Sequence, residues 1–432
     1  MDRPNILYIH SHDTGRYIQP YGHAVPTPRL QRLAEEGVLF RQAFCAAPTC
    51  SPSRAALLTG QSAHSSGMIG LAHRGFRLHD YRQHIVHTLR AAGYTSALIG
   101  VQHVAADPSW IGYDRVVPVA RHDAAHVAPA AVEWLHDVPR QPFFLSVGFA
   151  ETHREFHPLG PTEDARYTLP PAPLPDTPET RRDMAHFKAS ARILDDAIGA
   201  VLDALDEAGL AENTLVICTT DHGIAFPAMK CNLTNHGTGV MLIMRGPGGF
   251  GGGRVCDALV SHVDIYPTIC DLLQIARPAW LQGRSIMPWV RGETAEINDA
   301  VYAEVTYHAA YEPQRAVRTR RWSYIRRFDS VAPVLPNCDD SLSKDIWLTH
   351  GWRERPVAAE QLYDLVFDPH ETHNLAADPA LADVLADMRA RLDAWMAATD
   401  DPLLAGPVPA PSGARINPSD GLSPREPTTT IP

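Results

Sequence analysis

Short apolar runs alternate with helical segments along most of the chain, and this alternation limits the folds that are open to it. The runs at 5–9 and 143–149 are almost purely apolar, as expected of strands that are buried on both faces of a sheet. Further strands are predicted at 96–100, 214–219 and 240–244, and helices at 28–37, 54–58, 81–92, 130–136 and 181–208. The pattern predicts an open, mostly parallel α/β sheet with helices on both of its faces.

A different pattern begins near residue 300. The segments 318–325 and 362–365 are typical of strands of a smaller sheet, and a closing helix carries apolar residues at helical spacing from Leu381 to Trp395. From Asp401 onward 8 of 32 residues are proline, which predicts an extended tail, either draped over the body or disordered. We therefore expect a main domain over 1–300, an α+β subdomain with an antiparallel sheet over 301–400 and a tail over 401–432.

Composition excludes several classes of protein. Hydrophobic residues make up 45% of the chain, so a sizeable core can form and global disorder is excluded. The formal net charge is −11, which argues against nucleic acid or an anionic membrane as the main partner. No stretch approaches the roughly 18 apolar residues of a membrane-spanning helix, and the start lacks a signal-peptide pattern, so we expect a cytoplasmic protein. The seven cysteines include no C-x-x-C pair, which leaves a disulfide framework or a zinc ribbon without support.

Polar residues follow three of the predicted strands directly. They are His12-Asp13, Glu151-Thr152-His153-Arg154 and Asp221-His222. In an open α/β sheet such positions lie in one crevice beyond the carboxyl ends of the strands. Two carboxylates brought together there repel each other unless a cation lies between them, so Asp13 and Asp221 indicate a divalent metal site. Each aspartate taken alone is equally well explained as a loop residue that caps a helix.

Cys50 begins a short helix. Its sulfur would lie at the positive end of the helix dipole, beside free backbone N–H groups that suit a bound oxyanion. The alternative is a buried cysteine beside a turn. Four further polar residues flank turns, and each of them alone is more often an exposed or a structural side chain: His64, His103, His153 and Lys230.

The run Cys50-Ser51-Pro52-Ser53-Arg54, followed by Ala55-Ala56-Leu57-Leu58-Thr59-Gly60, resembles the signature of type I sulfatases, a branch of the alkaline phosphatase superfamily. The likeness continues in Arg3-Pro4-Asn5-Ile6-Leu7, Asp221-His222-Gly223, 261–268 and Gly283-Arg284-Ser285. Within the family the stretches 57–68, 149–154, 226–233 and 362–375 resemble the sulfamidase branch. The resemblance implies an alkaline phosphatase-like fold and a hydrolase of sulfate esters or sulfamates, acting on an N-sulfoglucosamine-like sugar or an aryl sulfate.

The resemblance also implies a mechanism. A formylglycine-generating enzyme would oxidise Cys50 to formylglycine, and the hydrate of this aldehyde would attack the sulfur of the substrate. Arg54 would hold the hydrate, and His103 would be the base for the elimination that releases sulfate. His153 and Lys230 would bind the sulfuryl oxygens and protonate the departing atom.

One divalent cation and a set of substrate contacts follow from the same resemblance. The implied metal ligands are His12, Asp13, Cys50, Asp221 and His222. The implied substrate-binding residues are His64, Glu151 and Arg154. The family usually has two consecutive aspartates where this chain has His12-Asp13. A nitrogen ligand among oxygen ligands makes manganese (Mn2+) an alternative to calcium (Ca2+), with zinc (Zn2+) as a further one.

A second departure concerns the substrate. The Gly-Lys-x-His pattern of the family appears here as Gly100-Val101-Gln102-His103, so the lysine that normally bridges substrate and nucleophile is absent. Another cation would have to replace it, and Arg16 and Arg74 are the candidates.

Other functions stay open at this point. A phosphonate monoester or phosphodiester hydrolase of the same superfamily is favoured by Asp221-His222 where sulfatases have Asp-Asn. A catalytically degenerate homologue that only binds an anion would explain Val101 and His12. An enzyme that uses the unmodified Cys50 thiol lacks an evident orienting partner. The expected partners are a small sulfated substrate, such as an imported sugar, and the formylglycine-generating enzyme, and a homo-oligomer is compatible with the sequence.

Overall fold

A computed structural model describes residues 3–137, 140–329 and 332–432. In chain order the strands are β1 (Asn5–Ser11), β2 (Val38–Phe40), β3 (Ala43–Phe44), β4 (Thr95–Gly100), β5 (Arg115–Val117), β6 (Phe143–Gly148), β7 (Thr214–Thr220), β8 (Leu242–Arg245), β9 (Arg254–Cys256), β10 (Val260–Ser261), β11 (Val301–Tyr307), β12 (Tyr311–Arg318), β13 (Trp322–Arg327), β14 (Glu360–Asp364), β15 (Arg415–Ile416) and β16 (Thr429–Thr430). The α-helices are α1 (Pro28–Glu36), α2 (Cys50–Thr59), α3 (Ala63–Ser66), α4 (Ile85–Ala91), α5 (Ala124–His136), α6 (Pro178–Glu207), α7 (Asn235–Thr238), α8 (Ile265–Leu272), α9 (Met287–Val290), α10 (Leu342–Thr349) and α11 (Ala382–Ala398).

The central sheet has eight strands in the order β5-β4-β6-β1-β7-β8-β2-β9. The five strands from β5 to β7 are all parallel, and β1 pairs in register with β6 on one side and β7 on the other. Strand β8 is antiparallel to both of its neighbours. The predicted mostly parallel α/β sheet is confirmed.

The alternation of side chains along β1 places one core on each face of this sheet. Leu7 and Ile9 point into the core beneath α1, α5 and α6, whereas Ile6 and Tyr8 point into the core beneath α2, α4 and α8. A strand that is covered on both faces needs apolar residues at every position, which explains the continuous run in the sequence. Helix α2 is itself completely buried and begins at Cys50, four positions before the predicted start.

Strands β11 to β14 form a separate antiparallel sheet, and α11 packs against it. The predicted antiparallel sheet is therefore confirmed, but the predicted strand at 318–325 begins too early, because only residues 322–325 of it lie in β13. Strand β12 ends at Arg318 and β13 begins at Trp322, with a turn between them in which the Thr319 amide donates to the Trp322 carbonyl. The turn residues include neither glycine nor proline, so nothing in the sequence interrupts the strand-like pattern.

Four buried charged residues join this sheet to α3 and to the start of the tail. Arg315 of β12 lies 3.3 Å from Glu304 of β11 and 2.5 Å from Asp401. Glu304 also accepts a hydrogen bond of 2.9 Å from Nδ1 of His64 in α3. Because every member has a partner of opposite charge, the cost of burying the group is largely offset.

Residues 401–432 lie along the surface of the body rather than away from it. Strands β15 and β16 pair with each other near the end of the chain, and Asn417 donates its backbone amide to the Ala309 carbonyl. Among the described residues no helix is both long and apolar enough to cross a membrane.

Candidate active site

Four neighbouring parallel strands deliver polar residues to one edge of the central sheet. His12 and Asp13 follow β1, and Asp221 and His222 follow β7. The loop after β6 carries residues 151–154, and the loop after β4 carries His103. The carboxyl ends of parallel strands share an edge, so residues that are far apart in sequence converge there. The buried helix α2 begins at the same place and brings Cys50.

Five of these side chains form a compact donor cluster, which we define as His12, Asp13, Cys50, Asp221 and His222. Their nearest N, O and S atoms all lie within 4.8 Å of one another, and every member is buried. His12 Nδ1 lies 2.8 Å from Asp13 and 3.2 Å from Asp221. His222 Nε2 lies 3.3 Å from Asp13 and 3.4 Å from the Cys50 sulfur.

The two carboxylates of the donor cluster are ionised. Burial alone raises the pKa of a carboxyl, but Lys230 and the nearby histidines hold the pKa of Asp13 well below its usual range. His12, His222 and Arg54 likewise overcome burial and lower the pKa of Asp221. Arg54 donates to Asp221 over 2.9 Å and to the Ser11 carbonyl over 3.0 Å, which holds the loop after β1 against helix α2.

Two other members of the donor cluster, His12 and the unmodified Cys50, are uncharged. Burial lowers the pKa of His12 to about 4, so its imidazole is uncharged and offers a nitrogen lone pair. Burial also raises the pKa of the Cys50 thiol well above its usual range. An unmodified thiol in this position is protonated and therefore a poor nucleophile.

The donor set fits a divalent cation. Two ionised carboxylates, two imidazoles and one further atom converge from separate elements, and carboxylates and imidazoles are ligands of divalent cations. The Cys50 sulfur stands where an oxygen of formylglycine would lie. Calcium prefers ligand sets made of oxygen atoms only, so the two imidazole nitrogens make this site less specific for calcium.

Lys230 connects the donor cluster to a residue that the sequence did not single out. Its ammonium lies 2.9 Å from Asp13, 3.0 Å from Asp339 and 3.4 Å from Nε2 of His153. Although burial lowers the pKa of a lysine, the two carboxylates raise the pKa of Lys230 well above its usual value. A permanently charged ammonium therefore lies beside the donor cluster.

His103 lies on the other side of the cluster and has an imidazole partner. Its Nε2 is 2.8 Å from Nδ1 of His73, and its ring centroid is 6.0 Å from that of His12. Burial and the neighbouring imidazoles lower the pKa of His103 well below its usual value, so it is neutral. Asp13 and His103 both adopt left-handed backbone conformations, with φ of 55° and 51°, which are uncommon for residues other than glycine.

The three residues that the resemblance implies as substrate contacts each have a partner within the protein, and their binding role stays a prediction. His64 binds Glu304 in the buried charged group, at 2.9 Å. Glu151 accepts hydrogen bonds from the Ala124 amide at the start of α5 and from His157. Arg154 donates to both oxygens of Asp183, at 2.7 and 2.8 Å. The structure brings none of these three side chains into the donor cluster.

The two arginines considered as substitutes for the missing lysine also bind elsewhere. Arg16 donates to Asn235 and to the Ala43 carbonyl. Arg74 donates to Asn417 over 2.7 Å and to the Pro424 carbonyl over 3.3 Å, and so anchors the tail.

The tail instead brings another arginine to the site. Arg415 donates to the His73 carbonyl over 2.9 Å, next to the His73–His103 pair. Farther along, Arg425 forms an ion pair with Glu155, two residues beyond His153. The tail thus passes the site from His73, beside His103, to Glu155, near His153. No motif marks Asp339, His73 or Arg415, because their position depends on loops that only the folded chain brings together.

Comparisons with known proteins agree with this geometry. Residues 4–275 match the model of the sulfatase family, and residues 230–333 match a model described as N-sulphoglucosamine sulphohydrolase, C-terminal. The chain is 31% identical to N-sulphoglucosamine sulphohydrolase of Homo sapiens, with 93% of this chain and 92% of that protein covered. It is 27% identical to an ulvan-active sulfatase of Formosa agariphila, with 93% and 76% covered.

A solved structure has the same fold. It is a protein in complex with its substrate D-glucosamine-2-N,6-O-disulfate, at a TM-score of 0.71 and 18% identity, with 92% of this chain and 98% of that chain covered. The chain therefore belongs to the sulfatase family, with the alkaline phosphatase-like fold of its members, and it is an enzyme that hydrolyses sulfate esters or sulfamates.

Proposed function

We propose that this sulfatase removes sulfate from a small sulfated sugar, with N-sulfoglucosamine as the leading substrate. The observation that carries the proposal is the donor cluster around Cys50 at the carboxyl edge of the central sheet. The sulfamate is favoured over other sulfated groups by the match of residues 230–333 to the sulfamidase-type C-terminal model and by the 31% identity to N-sulphoglucosamine sulphohydrolase.

One divalent cation, calcium or manganese, would be held by His12, Asp13, Asp221, His222 and the modified Cys50. When bound, it would supply positive charge and Lewis acidity beside the nucleophile. Conversion of Cys50 to formylglycine would supply the oxygens of a hydrated aldehyde in place of the sulfur. Arg54 supports this arrangement because its guanidinium joins the start of α2 to Asp221 and to the loop after β1.

The residues around the cluster have complementary tasks. Lys230 would bind an oxygen of the sulfuryl group, since Asp13 and Asp339 fix its ammonium beside the donor cluster. His153, beside Lys230, would donate a proton to the departing nitrogen or oxygen. His103 would accept a proton when sulfate is released, because it is neutral and His73 orients its ring.

The tail favours a small substrate that enters end-on. Arg415 contacts His73 and Arg425 contacts Glu155, so the tail occupies surface beside the site that a long polymer would need. Arg415 forms no ion pair in the part of the chain that the structure describes, so its charge is available to an anionic group on the substrate. Val101 stands where the family has a lysine, and Arg415 would supply the positive charge of that lysine.

The test is a substrate panel with the full chain co-expressed with a formylglycine-generating enzyme. N-sulfoglucosamine, glucosamine 6-sulfate, an aryl sulfate and a phosphonate monoester are each supplied with calcium, manganese or zinc, and the released sulfate or phosphonate is measured. We expect fastest turnover of N-sulfoglucosamine, with calcium or manganese. Preferential turnover of another member of the panel would contradict the proposed substrate.

The nucleophile is tested separately by intact-protein mass spectrometry. Conversion of Cys50 to formylglycine lowers the mass by about 18 units. We expect this decrease in the wild-type protein and neither the decrease nor turnover in Cys50→Ala. Full activity of a protein whose Cys50 has its unmodified mass would overturn the formylglycine assignment. The buried Cys218 of β7 offers a matched control, because Cys218→Ala should keep both the modification and the activity.

A further inference from the structure

A second cavity, of about 680 Å³, is lined by none of the donor-cluster residues, and its wall is strongly basic. The loop after β1, residues 169–172 and the start of α7 contribute to it. Its cationic or titratable nitrogen-bearing residues are Arg16, His23, Arg41, Lys188, His236 and His370. No aspartate or glutamate of the described chain lines it, although the protein as a whole has a net charge of −11.

The permanent cations of this cavity form no close ion pair. Among the described residues no carboxylate lies within ion-pair distance of Arg16, Arg41 or Lys188, although Glu163 acts on Lys188 from farther away. Arg16 donates to the Asn235 side chain over 2.9 Å and to the Ala43 carbonyl, but its Nε is buried without a hydrogen-bond partner. Desolvation lowers the pKa of Arg16 to about 10. Burying a guanidinium without a counter-charge is costly, and an anion in the cavity would offset that cost.

A comparison with Arg318 shows what Arg16 lacks. Both guanidinium groups lie on the ring of Phe44, at 4.5 and 5.0 Å from its centroid. Arg318 is neutralised by Glu371 at 2.7 Å, and the same carboxylate accepts from the Asn235 amide. Both bonds go to Oε2 of Glu371, whose buried Oε1 has no hydrogen-bond partner, but among the described residues no carboxylate forms an ion pair with Arg16.

A chain of hydrogen bonds provides neutral donors at the same wall. The Tyr17 hydroxyl lies 2.8 Å from Nδ1 of His236, and Nε2 of His236 lies 3.3 Å from Nδ1 of His370. His23 packs on Tyr17, with 4.5 Å between the ring centroids. Burial and the surrounding positive charge lower the pKa of His236 to about 4, so the ring is neutral. Both of its nitrogens are engaged within this chain, which leaves Nε2 of His370 and the ring of His23 for a ligand.

We propose that this cavity is a second anion-binding site, separate from the donor cluster, that takes an oxyanion group such as sulfate. Arg16, Arg41 and Lys188 supply the charge, and the imidazoles of His23 and His370 supply hydrogen bonds. The oxyanion would be either free inorganic sulfate or a sulfate carried on a sugar. This assignment does not depend on the identity of the catalytic substrate.

The test uses histidine side-chain NMR of the full chain, labelled selectively at histidine, in the Cys50→Ala background so that no turnover occurs. The signals of His23 and His370 are assigned from His23→Gln and His370→Gln. Inorganic sulfate is titrated against sodium chloride of matched ionic strength, and glucose 6-sulfate is titrated in a second arm. We expect saturable shifts of the His23 and His370 signals with sulfate but not with chloride. Tighter binding of glucose 6-sulfate would identify the sugar-borne group as the ligand, and equal or weaker binding would identify the free ion.

A double variant separates the cavity from general charge effects. Arg41→Gln/Lys188→Gln should weaken sulfate binding about tenfold or more, because it removes two charge-assisted contacts. Arg166→Gln/Arg181→Gln makes the same change of net charge at exposed arginines that pair with Asp164 and Asp176, and it should leave the affinity unchanged. The proposal is overturned if the His23 and His370 signals do not respond to sulfate, or if the two double variants bind it equally well.

Discussion

The ammonium of Lys230 lies 2.9 Å from the carboxylate of Asp13, and the two side chains are almost completely buried. Asp339 binds the same ammonium from the opposite side at 3.0 Å. A lysine held in this way cannot turn into solvent, and its ammonium also lies 3.4 Å from Nε2 of His153. The geometry makes Lys230 a fixed positive charge for an oxyanion that forms near Cys50.

Replacement of Lys230 should therefore slow catalysis more than binding. Lys230→Gln is expected to lower kcat/KM about 10²- to 10³-fold, as for other lost contacts to a developing oxyanion. Lys230→Arg keeps the charge and should retain more activity than the glutamine variant. Steady-state kinetics on the substrate that the panel identifies, with thermal unfolding as a check of folding, measures the effect. Equal activity of the glutamine variant and the wild-type protein would contradict this role.

Removal of Asp221 should abolish metal binding. Asp221→Ala takes away one ionised carboxylate of the donor cluster and the partner of Arg54, so we expect loss of both bound metal and turnover. Metal content of the purified protein is measured by elemental analysis. Asp339→Asn is a matched control, because Asp339 lies outside the donor cluster and that variant should retain its metal. An Asp221→Ala protein that keeps one equivalent of metal would show that the site lies elsewhere.

His73 should act through His103. Its Nδ1 lies 2.8 Å from Nε2 of His103, so His73→Gln is expected to misorient the imidazole and to lower kcat about tenfold. KM should fall together with kcat and leave kcat/KM nearly unchanged, since the step affected, sulfate release, follows the departure of the desulfated product. In rapid-mixing experiments the variant should release about one equivalent of desulfated product before the slow phase. The related variant His87→Gln removes a histidine that binds the Ile111 carbonyl away from the site, and it should keep the wild-type kinetics.

Arg415 should affect substrate binding. Arg415→Gln is expected to raise KM for a sulfated sugar about tenfold with a smaller change in kcat, because one charge-assisted contact is lost. Arg415→Lys should recover part of the affinity. Arg353→Gln is the control, since Arg353 contacts the tail only at the Asp420 carbonyl. If Arg415→Gln and Arg353→Gln have the same KM, then the charge of Arg415 has no part in substrate binding.

The buried pair of His64 and Glu304 should make stability depend on pH. Although burial lowers the pKa of a histidine, Glu304 and Asp401 raise the pKa of His64 above its usual 6.5. Its partner His64 and Arg315 overcome burial and lower the pKa of Glu304 to about 2. A raised histidine pKa contributes stability that is complete below 6.5 and is lost as the pH rises through the folded value. A lowered glutamate pKa contributes stability that is complete above 4.5 and is lost as the pH falls toward 2.

Thermal unfolding between about pH 6 and pH 9 measures the histidine contribution. The wild-type midpoint should fall over this range because of His64, and the fall should be smaller in His64→Gln. His136→Gln is the control, because His136 forms an exposed pair with Glu207 and should leave the pH dependence unchanged. Identical pH profiles for His64→Gln and the wild-type protein would show that the pair contributes no pH-dependent stability.

Local patterns were sufficient for five strands of the central sheet and for the first members of the site, but not for the three-residue strands β2, β5 and β9. Strands such as β1 and β6 are covered on both faces, so each is a continuous apolar run, and the residues that follow them necessarily share an edge. The short helix that follows Cys50 was also predicted from the sequence. The turn between Arg318 and Trp322 was not, because its residues are compatible with a strand and only the pairing of β12 with β13 distinguishes the two.

The sequence alone therefore determined the fold class, the family resemblance and the five side chains of the donor cluster. Only the tertiary structure decided which charges surround that cluster. Asp339 and Arg415 come from segments more than 100 residues from Lys230 and His103, and no periodic pattern links such distant loops. It also decided that His64 and Arg154 bind carboxylates of the protein itself, since a buried charge pairs with whichever opposite charge the packing places beside it.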